Sequence, residues 1–141
     1  MYLLDTCTLS HYFGGTESVV NRVNAVRADI RICVVGVQET LDGWLSQINR
    51  TPQDSPKLID YYRKLEIVVR ELNQYVVLPL DQEPLELFRK FPAEAKKVSA
   101  NDRRVAAIVI RNDAILVTEN LKDFRKLLPE EKLQDWTRAE Q

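Results

Sequence analysis

The alternation of apolar and polar positions divides this chain into short strands and longer helices. Residues 1–4 are an apolar run that stops at Asp5, and 6–10 can then open a helix. Over 17–26, Val19, Val20, Val23 and Val26 recur at helical spacing. The stretch 30–37 (IRICVVGV) is apolar and β-rich, the pattern of a strand buried on both faces. Residues 38–48 return to helical spacing, with Leu41, Trp44, Leu45 and Ile48 on one side. The cluster TPQDSP at 51–56 is the clearest turn, and Ser55-Pro56 is a good helix start. From 57 to 74, Leu58, Tyr61, Tyr62, Leu65, Val68, Val69 and Leu72 predict a long amphipathic helix. The short turn makes it antiparallel to its predecessor. A strand at 75–80, helices around 83–91 and 102–110, a strand at 114–118, a short helix at 121–127 and an edge strand within 132–136 complete the pattern.

Strands that alternate with helices and are apolar throughout imply an α/β fold, with a parallel sheet covered on both faces. The 141 residues suit one domain spanning 1–141, with a paired-helix excursion around 38–74. No apolar run approaches the roughly 18 residues of a membrane span, and no signal peptide is read at the start. Cys7 and Cys33 cannot build a disulfide framework and fit the reducing cytoplasm. With a single histidine, a four-ligand structural zinc site is not expected. Twenty Lys and Arg against twenty-one Asp and Glu leave a net charge of -1. Nucleic acid therefore cannot be held by bulk charge; it would need a local basic surface or bound cations.

In open parallel sheets the site lies outside the carboxyl ends of the strands. Asp5 follows the first strand, and Glu39 is expected in the first turn after the second. Asp102 opens the helix before the fourth, while Thr118, Glu119 and Asn120 follow the fourth with Asp123 one turn on. If the first strand is central, these groups converge. Clustered carboxylates repel unless protonated or neutralised by a cation, and all-oxygen donors select Mg²⁺ or Mn²⁺. The chemistry implied is metal-assisted phosphodiester hydrolysis. Taken singly, Asp102 is also a helix cap and Glu39 an acid favoured by the helix dipole. The case rests on the positions together.

These motifs resemble the PIN domains, and among them the VapC-type toxins. Leu3-Leu4-Asp5-Thr6 with Thr8-Leu9-Ser10-His11 is similar to the family's opening strand and first aspartate. Val37-Gln38-Glu39 with Leu41, Gly43 and Trp44 resembles its second motif, and Asp102 with Val105-Ala106-Ala107-Ile108 its third. Leu116-Val117-Thr118-Glu119-Asn120 with Lys122-Asp123-Phe124 resembles the fourth, and Gln134-Asp135-Trp136 the usual ending. The resemblance implies a three-layer α/β/α sandwich with a mostly parallel central sheet of about five strands. It implies a Mg²⁺- or Mn²⁺-dependent ribonuclease, held inactive by a cognate antitoxin, acting on RNA as a homodimer in the cytoplasm. Carried over residue by residue, Asp5, Glu39 and Asp102 are metal ligands and catalytic groups. Asn120 or Asp123 is the fourth ligand, with Asp123 also counted as catalytic, and Thr6 and Thr118 supply supporting hydroxyls. One position departs: relatives carry Asn or Asp where Cys7 stands.

Three other readings compete with this one. Ser10-His11 lacks a nucleophile elbow and is no hydrolase pair. A phosphoacceptor domain needs an acidic pair after the first strand, and here Asp5 stands alone. A PIN-like binding module that has lost catalysis is favoured only by Cys7. Lys96-Lys97 and Arg103-Arg104 flank Asp102 and read as solvated helix faces rather than phosphate contacts. Trp44, Tyr61 and Tyr62 are expected to pack the paired helices, and an apolar groove beside them to receive an antitoxin helix.

Overall fold

The structure, a computed structural model, describes residues 1–138; the end of the expected domain at 141 lies outside the described residues. Strand β1 is Tyr2–Leu4, followed by α1, Thr6–Phe13, and α2, Glu17–Ala25. Then come β2, Ile30–Cys33, and the long pair α3, Val34–Asn49, and α4, Lys57–Leu72. Strand β3 is Val76–Leu78, α5 is Gln82–Arg89 and α6 is Ala100–Asn112. Strand β4 is Ile115–Val117, α7 is Leu121–Phe124 and β5 is Leu133–Gln134. The five strands form one sheet in the order β3-β2-β1-β4-β5, and every pairing is parallel. The first strand is therefore central, as the convergence of the acids requires.

Period-two alternation along β1 and β4 puts successive side chains on opposite faces, and each face has its own core. Leu3 and Leu116 join Cys33, Val105, Ile108 and Phe124 under α6. Leu4 and Val117 join Leu9, Val19, Ile32, Val68 and Trp136 on the other side. Burying each Leu or Val fully contributes about 1.5–3 kcal/mol, so neighbouring residues of one three-residue strand anchor two layers. Asp5 ends β1 in two ways. Its N–H still donates to Val117 O at 3.1 Å, while its carboxylate accepts from Thr8 N at 2.8 Å and caps α1. Ser99 Oγ caps α6 by accepting from Asp102 N at 3.1 Å. Helix α6 stops where Asp113 turns left-handed (φ 50°), and β4 starts two residues later.

The structure shortens the predicted second strand. Residues 34–37 are the first turn of α3, not the end of β2. Cys33 pairs with Leu78, and the next residue of the neighbouring strand, Pro79, has no N–H with which to continue the ladder. With no partner strand available, the valines turn into a helix instead. Glu39 consequently sits in the second turn of α3, not the first. The paired helices pack as expected, but not through every aromatic residue: Tyr62 is 56% exposed, and Leu45 is exposed as well. A 3-10 turn at Ala93–Lys97 was not anticipated from the pattern.

Candidate functional site

Four elements bring their ends to one place. Asp5 at the end of β1, Glu39 on α3, Asp102 in the first turn of α6 and Asn120 after β4 line a cleft of about 60 Å³. Thr6, Cys7, Cys33, Gly36, Val105 and Phe124 complete its wall. Asp5 is only 7% exposed. Burial holds its carboxyl above the usual carboxylate range, against hydrogen bonds from Thr118 and Thr8, and the Glu119 charge adds to the rise. Asp102 is raised too, chiefly by burial; a hydrogen bond with Ser99 opposes this, and the charges of Glu39, Asp5 and Asp123 reinforce it. Asp102 thus sits in the field of the other acids around the cleft.

Two threonine hydroxyls lie beside these acids. Thr6 Oγ1 donates to Glu39 Oε1 at 3.1 Å, tying α1 to α3. Thr118, fully buried, bonds the Asp5 carboxylate and accepts from Asn120 N at 2.9 Å. Asp123 stands one step back. It does not line the cleft; its Oδ2 accepts from Asn120 Nδ2 at 3.2 Å, and its side chain is 40% exposed. Of the two candidates for a fourth position, Asn120 is thus the one facing the cleft.

Sequence reasoning missed part of the site. Cys33 lines the cleft, and outside it His11 Nε2 lies 3.1 Å from Oε2 of Glu119, an acid the sequence reading places after the fourth strand without this partner. Cys33 would have been found by looking at strand ends, had β2 been ended correctly. His11 Nδ1 meets Thr16 Oγ1 rather than Ser10, so no Ser–His pair exists. The Cys7 thiol is pushed up to about 11 by burial and then by the charges of Asp5, Glu119, Asp102 and Glu39. A phosphoacceptor domain would also need a lone Asp after the third strand, and Asp81, which follows it here, is exposed and lies outside the cleft.

The donors are hard oxygens with no competing cation. Among the described residues no Lys or Arg pairs with Asp5, Glu39 or Asp102. That donor set suits Mg²⁺ or Mn²⁺. The acids ring the cleft rather than meet in it: among the described residues no three Asp, Glu, His or Cys side chains are drawn around one point. Thr6 and Glu39 also border a second, larger hollow of about 820 Å³ between α1, α3 and α4. Phe13, Trp44, Tyr61 and Val68 line it, and Lys64 Nζ lies 5.9 Å from the Trp44 ring centre. The groove therefore opens onto the acids. Among the described residues no helix is long and apolar enough to cross a membrane.

Solved structures resemble this one over nearly their whole length. The DNA-bound VapBC complex of Salmonella typhimurium is 21% identical with a TM-score of 0.76, covering 96% of this chain and 97% of that one. VapBC2 of Rickettsia felis, bound to a promoter DNA fragment, is 21% identical at 0.73, covering 96% and 98%. VapBC-1 of nontypeable Haemophilus influenzae is 19% identical at 0.71, covering 97% and 98%. No curated protein matches the chain in sequence. At such identities the structural likeness speaks for the fold alone. The PIN-domain model, however, matches residues 2–127, a span that takes in Asp5, Glu39, Asp102, Asn120 and Asp123. By that match and by the parallel sheet that gathers those residues at one end, the chain belongs to the PIN-domain family.

Proposed function

We propose that this protein is a divalent-metal-dependent endoribonuclease and the toxin of a toxin–antitoxin pair. The observation that carries this is the cleft, where Asp5, Glu39 and Asp102 gather with Asn120 and without a cationic side chain to neutralise them. Like charges held that way are a receptor for a cation. Asp5, Glu39 and Asp102 would hold Mg²⁺ or Mn²⁺, with Asn120 at the fourth position and Asp123 behind it. Such an ion, when bound, lowers the pKa of a water molecule and stabilises charge on a phosphodiester. The remaining groups orient the ligands. Thr118 and the Thr8 N–H fix Asp5, and Thr6 fixes Glu39.

Purified protein free of any partner should cleave single-stranded or structured RNA with Mg²⁺ or Mn²⁺ and stop in EDTA. Asp5→Asn and Glu39→Gln should both abolish cleavage. Cleavage that persists in EDTA, or in either variant, would overturn the mechanism. A binding-only module is the second reading, because Cys7 lines the cleft where relatives carry Asn or Asp. It would be favoured by measured metal binding with no RNA cleaved.

The groove beside α3 and α4 suits an amphipathic helix from an antitoxin, and its opening onto Glu39 would let an Arg or Lys of that segment reach the acids. The structural neighbours above are by name VapBC complexes, and another, 18% identical at a TM-score of 0.73, is titled a toxin–antitoxin complex from Klebsiella pneumoniae, which supports such a partner. We infer a homodimer and a cytoplasmic location from the same family resemblance. Strong induction should slow growth, and co-expression of a small neighbouring gene should relieve it. Unimpaired growth with abundant folded protein would count against the toxin role.

A further inference from the structure

The acids of the cleft repel the polyanion they are proposed to cut, so the substrate needs a positive surface nearby. Between residues 89 and 104 the chain carries six Lys and Arg against two acids, one of which is Asp102 itself. This leaves the rest of the molecule distinctly acidic. The segment runs from the end of α5 through the 3-10 turn Ala93–Lys97 into the first turn of α6. Arg89, Lys90, Lys96 and Lys97 are exposed. The Arg103 and Arg104 guanidinium carbons lie 4.8 and 5.2 Å from the centre of the Phe88 ring. Arg103 Nε also donates to Val98 O at 3.2 Å, and Arg104 to Asn101 Oδ1 at 2.7 Å.

Lys64, Arg70, Arg111, Arg125, Lys126 and Lys132 all hold acids. Among the described residues none of the six at 89–104 does. Lys57, Arg63 and Lys122 also hold no acid among the described residues, so what sets these six apart is that they fall together within residues 89–104. Two of the six are held against an aromatic ring and bonded to neutral oxygens, which fixes position without cancelling charge. A run of cations without acid partners, leading into the helix turn that carries Asp102, complements a chain of phosphates. It does not suit an apolar partner. Sequence alone favoured solvated helix faces here; the missing acids and the Phe88 stack favour contact.

We infer that the segment 89–104 is the track on which the phosphodiester backbone of single-stranded RNA lies as it enters the cleft, a role that presupposes the nuclease proposed above. Phosphate contacts of this kind set affinity and position rather than sequence.

The experiment is binding of a labelled single-stranded RNA in EDTA, where no cleavage is expected, measured across a salt series. The slope of log K against log salt should fall by about 0.7 for each phosphate that is no longer neutralised. Lys96→Gln/Lys97→Gln and Arg89→Gln/Lys90→Gln should each lower the slope and weaken binding. Lys57→Gln/Arg63→Gln on α4, which removes equal charge from a distant helix, should leave both unchanged. A slope unaltered in the first two variants, or lowered equally in the third, overturns the track. Intact cleavage by those variants with unaltered slopes would sink the track alone. Wild-type protein that neither binds nor cleaves RNA would sink the nuclease with it. Binding of an acidic peptide, lost in the first two variants while RNA binding is kept, would assign the surface to a protein partner instead.

Discussion

Asp102 is both helix-turn residue and cleft acid, and a single substitution separates the two. Asp102→Asn removes one charge held near those of Glu39, Asp5 and Asp123, so the metal-free variant should be as stable as the parent or more so. It should not cleave. Mn²⁺ at a hundredfold excess over Kd should stabilise the parent by about 2.7 kcal/mol, and the variant less. Paired melting curves decide it; equal metal shifts would make Asp102 structural. The pH dependence follows from the same residues. Asp5 and Asp102 both hold their protons to higher pH in the fold than in the unfolded chain. The contribution of these two groups to metal-free stability is therefore present on the acid side and is lost as pH climbs from the ordinary carboxylate range through the raised one. Melting temperature against pH should show that fall, and less of it in Asp102→Asn. Cys7 supplies an independent readout of the field. A thiol at about 11 should react sluggishly with a thiol reagent near pH 8 despite its exposure, and faster in Asp5→Asn. Burial is the larger cause of the shift, so the charge is read from the comparison: equal rates in the parent and Asp5→Asn would mean the acids do not act on Cys7. Asp5 and Asn120 were legible in the sequence because they follow strands, and Asp102 because it opens the helix that leads into β4. The recessed place of Asp123 was not, because it depends on how Asn120 turns.

Elements were legible where the hydrophobic period was long and failed where it was short. Helix α4 repeats its pattern over several full turns and came out close to the expected bounds. The run at 30–37 does not distinguish a buried strand from the start of a buried helix. What decided it was Pro79, far along the chain and beside another strand. The error moved Glu39 by a turn yet left it in the cleft, since α3 starts directly from the end of β2. Its position then depends on the bond from Thr6, which joins two helices. Thr6→Val keeps the shape and removes the hydroxyl. It should change stability by no more than about 1 kcal/mol and slow cleavage by roughly 10–100-fold. Urea melts and initial rates would check both. Unchanged rates would mean that Glu39 is held by its own helix.

At the scale of the molecule, alternation of strand and helix foretold a parallel sheet, but strand order could not be read from it. Order is a matter of which distant segments pair, and local period carries no record of that. Here the consequence is one of timing. Strand β1 lies between β2 and β4, so Leu3 pairs with Arg31 on one side and with Leu116 on the other. The Tyr2 ring meets Trp136, 5.2 Å between centres, from almost the opposite end of the sequence. Contacts so remote demand a large loop closure before they reward it, which slows folding. On a ribosome, β1 waits with one flank unpaired until β4 has been made. Asp5, Glu39 and Asp102 have no common cleft until then, and the hydroxyl of Thr118, which steadies Asp5, is among the last pieces to arrive. A chain built in this order is without activity until synthesis is nearly complete. For the ribonuclease proposed above, that order would keep unfinished copies from attacking RNA beside the machinery making them.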